Sequence, residues 1–102
     1  MKLIDCGTLV DGTGKEPLTD ARILVEDGRV VEVGPAESVD APEDAERVDH
    51  SGDTVIPGLI DAHLHLKGTR SMDPFDWVRE SSELNTARAT ADARTLLESG
   101  FT

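Results

Sequence analysis

The rhythm of hydrophobic and polar positions changes once along this chain, near Pro57-Gly58. Before that point the apolar residues fall into short runs suited to strands. Lys2 to Val10 is rich in β-favouring residues and closes on the turn cluster Asp11-Gly12-Thr13-Gly14. Ala21 to Glu26 alternates, which predicts a strand with Ile23 and Val25 on one face and Arg22, Leu24 and Glu26 on the other. Asp27-Gly28 separates that run from Arg29-Val30-Val31-Glu32-Val33. A two-residue Asp-Gly loop between β-rich runs predicts a hairpin, because both turn positions need positive φ. Gly34-Pro35 ends the second strand, and Ala36 to Glu46 is an acidic loop or short helical turn containing Pro42. Arg47-Val48-Asp49 and Thr54-Val55-Ile56 are expected as two short strands around the turn Ser51-Gly52-Asp53.

After the Pro57-Gly58 break, Leu59-Ile60-Asp61-Ala62-His63-Leu64-His65-Leu66 predicts a strand with one fully apolar face. Asp73-Pro74 suits the start of a helix, since Asp can cap free N–H groups and Pro is tolerated at the first helical position. From there to Ser99 the chain is rich in Ala, Glu, Arg and Leu. Ala89, Ala93, Leu96 and Leu97 share one helical face, Gly100 is placed as the stop, and Ser81-Ser82 divides the stretch into two helices. The expected organisation is a β-rich part over residues 1–56 and one strand-loop-helix unit over 57–102. An apolar strand of that second kind expects parallel neighbours on both sides.

At 102 residues there is room for one small domain. With one Trp, two Phe and no Tyr, its core must come from Val, Ile, Leu and Ala. Asp and Glu total 21 against 10 basic residues, for a net charge of −11. That field repels nucleic acid and anionic membranes, so neither is expected as a partner. An Asp-rich, Lys-poor surface stays hydrated in concentrated salt, which points to a halophilic source. No apolar run approaches the ~20 residues of a membrane span. The opening Met-Lys-Leu-Ile-Asp is charged too early for a signal-peptide core, so a cytoplasmic protein is expected. The single cysteine, Cys6, has no internal disulfide partner and reads as a small buried hydrophobe.

The chemistry sits in residues 61–65. Side chains at i and i+2 of a strand point the same way, so Asp61, His63 and His65 share one face while Ile60, Ala62, Leu64 and Leu66 share the other. Alternate Cα atoms lie roughly 6.6 Å apart on a strand, a gap two imidazoles can close on one divalent cation. Neutral imidazole is a good ligand for Zn²⁺ and related metals. The bland alternative is two histidines that face water.

Context favours the ligand reading. The stretch Thr54-Val55-Ile56-Pro57-Gly58-Leu59-Ile60-Asp61-Ala62-His63-Leu64-His65 resembles the amidohydrolase superfamily signature, in which the first barrel strand ends in His-x-His. Leu9 to Gly14 and Ile23 to Val30 look like the N-terminal β-sandwich strands of that family. Ala87 to Thr102 is similar to its first barrel helix, leading into the second strand of the imidazolonepropionase-like and Xaa-Pro-dipeptidase-like branch. The resemblance covers essentially the whole chain.

It implies a mainly β fold with one α-helical segment: the N-terminal part of a composite β-sandwich, then the first β-α unit of a TIM (β/α)₈ barrel whose site lies at the C-terminal ends of its strands. It implies one or two divalent metals, usually zinc, that activate a water against an amide, lactam or dipeptide C–N bond. His63 and His65 carry over as ligands of the first metal. Asp61 carries over as a group that fixes ligand orientation, with a satisfied strand-end carboxylate as the alternative.

Members of this branch also use a lysine, two later histidines and a late aspartate that serves as ligand and general base. All of these lie on strands beyond Thr102. A complete barrel takes about 200 to 400 residues or more. The chain is therefore expected to be an N-terminal fragment of the hydrolase, inactive alone. His50, in the turn Asp49-His50-Ser51-Gly52, and Lys67, in a loop, are not expected to substitute. Unpaired strand edges and apolar patches predict a homo-oligomer. The alternative from a different class is a non-catalytic β-rich self-association module.

Overall fold

The computed structural model describes residues 1–66, 73 and 75–102, with residues 76 and 77 by backbone alone. The chain divides into two compact units, Met1–Pro57 and Gly58–Thr102.

The first unit is a four-stranded sheet made of β1 (Lys2–Leu9), β2 (Leu18–Glu26), β3 (Arg29–Pro35) and β4 (Glu46–Val55), in the order β3-β2-β1-β4. β2 is antiparallel to both β1 and β3, whereas β4 lies parallel to β1. The β2–β3 hairpin is the one the sequence predicts. Asp27 and Gly28 have φ of 50° and 74°, and Glu26 pairs with Arg29 across the turn. That left-handed pair matches the twist of the flanking strands. Val31 is left over at a bulge, since Leu24 pairs with Glu32 and Val25 with Val30.

Two features depart from the expected pattern. The segments 47–49 and 54–56 are not two strands around a turn; Glu46–Val55 is a single strand whose pairing is interrupted. Cys6 pairs with His50 and Thr8 with Thr54, so β4 accommodates extra residues opposite Gly7. A Cβ at Gly7 would lie 2.3 Å from the Ser51 carbonyl oxygen, so the bulge presses onto bare backbone. It closes on itself: the Ser51 N–H donates to Asp49 Oδ1 at 2.9 Å, and His50 Nδ1 lies 2.9 Å from Asp53 Oδ2. Asp20 is the second departure. Its φ of 53° falls opposite Gly7, where one pair is missing from the β1–β2 ladder though the register is the same on either side, and the alternation switches there. Leu9 thereby joins the same buried cluster as Cys6, Ala21 and Ile23, with Ile4, Leu18, Val25 and Val55 packed around it.

The second face of the sheet is covered from within the chain. Leu3 and Leu24 pack against Val39, which arrives from the connection between β3 and β4 and is 1% exposed. Arg22 ties that connection down. Its Nε donates to Asp5 Oδ1 at 2.7 Å, and its Nη1 donates to the Ala36 carbonyl at 2.6 Å and, more weakly, to that of Val39 at 3.4 Å. One guanidinium thus satisfies a carboxylate and two loop carbonyls beside an apolar plug.

The second unit holds a single helical turn, α1 (Asp76–Arg79), and one full helix, α2 (Ser82–Glu98). Ser81 separates them as expected: its side chain accepts from the Leu84 N–H at 3.3 Å and caps α2. Gly100, at φ 92°, ends the helix in the left-handed region that suits glycine. Asp73 Oδ1 accepts from the Phe75 N–H at 2.9 Å. Pro74, expected as the first helical residue, and Lys67 lie outside the described residues. The predicted strand over 59–66 is reduced to an isolated parallel bridge between Leu59 and Phe101. The Leu59 N–H donates to the Gly100 carbonyl at 2.8 Å, and the Thr102 N–H donates to that of Leu59 at 2.9 Å. A strand is defined by its partners, and among the described residues only this one parallel contact is supplied.

Candidate metal centre

Leu59 is held by its bridge, and five residues of bend and coil follow before His65. Within them Asp61 makes a local turn. Its Oδ1 accepts from the backbone N–H of His63 at 3.0 Å, fixing the peptide that carries the first histidine. The two imidazoles then face one another. Nε2 of His63 lies 2.8 Å from Nε2 of His65, with ring centroids 5.0 Å apart and planes inclined by 35°. Two nitrogens at that separation share one proton, with one ring donating and the other accepting. Extended alternation predicts that these rings meet. They do meet, but through a bend held by Asp61 rather than through a regular strand.

The pair fits two positions around a divalent ion. Zinc–imidazole bonds of about 2.0–2.1 Å in a tetrahedral arrangement separate two ligand nitrogens by about 3.3 Å. Opening the observed contact by about half an ångström meets that requirement. Both rings are exposed and present the same nitrogen, so none of the described residues packs against them to oppose the change. The donor set fits as half of a tetrahedral site. Among the described residues no third His, Cys, Asp or Glu joins them.

Beside the histidines, Asp61, Leu64 and Leu66 line a largely apolar hollow of about 270 Å³ with Ala93, Leu96 and Phe101. Ala93 and Leu96, with Leu97, which also lines the hollow, belong to the helical face read from the sequence. The remaining sequence candidates fall elsewhere. His50 is engaged with Asp53 in the β4 bulge. Cys6 is buried in the sheet, and burial, with the nearby Asp5 charge, pushes its thiol pKa up, so it is protonated and packed as a hydrophobe. Arg22 was not singled out by sequence reasoning. Its placement on the same strand face as Leu24 was visible, but no local signal indicated that the loop carbonyls would come to it.

The profile of the amidohydrolase family matches residues 54–102. An imidazolonepropionase from Micrococcus luteus is 46% identical over 68 residues, covering 65% of this chain and 16% of its own length. The chain thus spans about a sixth of that curated relative. The crystal structure of an amidohydrolase superposes with a TM-score of 0.81 at 32% identity, over 98% of this chain and 24% of the other. A Xaa-Pro dipeptidase with methionine bound in its active site superposes equally well, at 0.81, over 99% of this chain and 25% of its own. At 24% identity that second likeness speaks for the fold alone. The fold is mainly β with one helical segment: the N-terminal part of a composite β-sandwich followed by the first β-α unit of a (β/α)₈ barrel. With the family match running through both histidines and structural likeness extending over nearly every residue, the chain belongs to the amidohydrolase superfamily.

Proposed function

We propose that this chain is the N-terminal part of a metal-dependent hydrolase of carbon–nitrogen bonds in small amides, lactams or dipeptides. Residues 1–56 contribute strands to its β-sandwich, and residues 57–102 open its barrel. His63 and His65 supply two Nε2 ligands to the first divalent metal, zinc in the simplest case, whether the complete site holds one ion or two. When bound, the ion supplies a water of lowered pKa and an electrophile for the substrate carbonyl. Asp61 acts one step removed. By accepting from the His63 N–H it holds the ligand-bearing peptide, so that the imidazole needs little reorganisation to bind.

The observation that carries this reading is the 2.8 Å approach of the two Nε2 atoms. Exposed imidazoles with no shared task have no reason to converge through the same nitrogen. The general base and remaining ligands belong to barrel strands outside this segment, so the 102 residues alone are expected to bind metal weakly and to hydrolyse nothing. Calorimetric titration with Zn²⁺ tests the proposal. A heat of binding in the wild type that disappears in both His63→Ala and His65→Ala supports it; an unchanged heat in either variant defeats it.

The second reading, a non-catalytic self-association module, is favoured by one observation. β3 and β4 are the outer strands of the sheet, and Val30, Val31 and Val33 are exposed on β3. Edges of that kind recruit other chains. Homo-oligomer formation is compatible with either reading; if it alone is the function, the histidine variants leave both metal binding and sedimentation unaltered. The acidic surface supports a third element of the proposal, folding in concentrated salt. Screening should relieve self-repulsion among the 21 acidic side chains, so the folding signal should rise with added salt.

A further inference from the structure

We propose that Gly58 is a positioning residue for the histidine pair, and that it acts by leaving room for the side chain of Thr102. This rests on the assignment of His63 and His65 as ligands above.

A Cβ at Gly58 would lie 2.4 Å from Thr102 Cγ2, 2.7 Å from Oγ1 and 3.1 Å from Cβ. Rotation of the threonine does not remove the conflict. Both heavy substituents of its Cβ face Gly58, and the three staggered positions are shared by two heavy atoms and one hydrogen. Any rotamer therefore leaves at least one heavy atom in the way, and Cβ itself stays too close. A side chain at position 58 has to push Thr102 aside.

Thr102 is not free to move without consequence. Its N–H donates to the Leu59 carbonyl, and the Leu59 N–H donates to Gly100, so displacing it breaks the bridge that anchors the start of the histidine segment. Thr102 also lines the same apolar hollow as Asp61, Leu64 and Leu66. Asp61 in turn holds the His63 peptide. The mechanical sequence runs from Gly58 to Thr102, to the wall shared with Asp61, to His63. The glycine is not needed for an unusual dihedral, since it is not among the positive-φ residues. It is needed for space.

The test compares the wild type with Gly58→Ala, Thr102→Gly and the double variant Gly58→Ala/Thr102→Gly. Zn²⁺ is titrated while the ring signals of His63 and His65 are followed by NMR, and amide exchange is read at Leu59 and Thr102. Gly58→Ala should weaken Zn²⁺ binding about ten-fold or more and speed exchange at both amides. The double variant should return affinity to that of Thr102→Gly alone, a rescue that a general loss of fold would not permit. Wild-type affinity in Gly58→Ala, or failure of the second substitution to restore binding, overturns the proposal while leaving the ligand assignment intact. No joint response of the two rings in the wild type instead overturns the ligand assignment, and this proposal with it.

Discussion

Met1–Pro57 and Gly58–Thr102 are about equally well furnished with apolar residues, yet they use them differently. In the first unit Leu3, Cys6, Leu9, Ala21, Ile23, Leu24 and Val39 are buried, on both faces of one sheet. In the second, helix α2 buries none, and Leu59, Ile60, Leu64, Leu66 and Leu97 are exposed among the described residues. The difference lies in where each element finds its partner. A hairpin supplies its own neighbour within two residues, and the Val39 connection folds back onto the sheet it leaves. A parallel barrel strand needs neighbours delivered by crossovers from distant sequence. The first unit is locally encoded, whereas the second leaves much of its apolar surface uncovered among the described residues.

The sharpest way to break that contrast is to truncate one leucine in each unit. Leu3→Ala removes a side chain that is 1% exposed between Leu24 and Val39, and should cost about 3 kcal/mol in urea-induced unfolding. Leu97→Ala, at a residue 65% exposed, should stay within about 0.5 kcal/mol. Equal losses would show that the second unit owns a core after all. Arg22→Ala comes next. Loss of its bonds to Asp5, Ala36 and Val39 should cost about 2 kcal/mol. It should also unprotect the amides of the β3–β4 connection before those of β1, as amide exchange would show.

The same contrast explains what could be read from the amino acids. The hairpin at Asp27-Gly28, the break at Ser81-Ser82 and the Gly100 stop were legible because each is settled by a few adjacent residues. The fusion of 47–49 and 54–56 into one strand was not, because it depends on Gly7, some forty positions away in sequence, offering bare backbone to Ser51. The strand over 59–66 was overread for a related reason: periodicity reports which faces are apolar, not whether a neighbour is there to pair. The convergence of His63 and His65 survives that error. The rings meet on a bent backbone in which Asp61 fixes the His63 peptide, so the spacing predicted the meeting without predicting the backbone.

Ser81→Ala probes a local element in the less self-sufficient unit. Its hydroxyl is the cap of α2, and its removal should cost the helix about 1 kcal/mol, read as an earlier loss of helical circular dichroism on heating. The sheet signal should not move. If both signals fall together, the two units unfold as one and the contrast drawn above fails.

The smallest effect concerns acid. Asp49 has its carboxyl pKa lowered chiefly by hydrogen bonding from the Ser51 side chain and then from its backbone N–H, within the β4 bulge. Asp11 is held down in the same way by Thr13. A carboxylate with a depressed folded-state pKa contributes stability that is present above its unfolded value and disappears as pH falls through the folded one. The first unit should therefore keep its stability down to the ordinary carboxylate range and lose some of it below. Asp49→Asn retains an oxygen to accept from the Ser51 N–H but cannot titrate. Its thermal midpoint should depend less steeply on pH in that acid window than the wild type's, with no difference between the two slopes near neutrality. A variant whose acid limb is as steep as the wild type's would mean that the bulge, for all its closed hydrogen bonds, carries none of the unit's acid sensitivity.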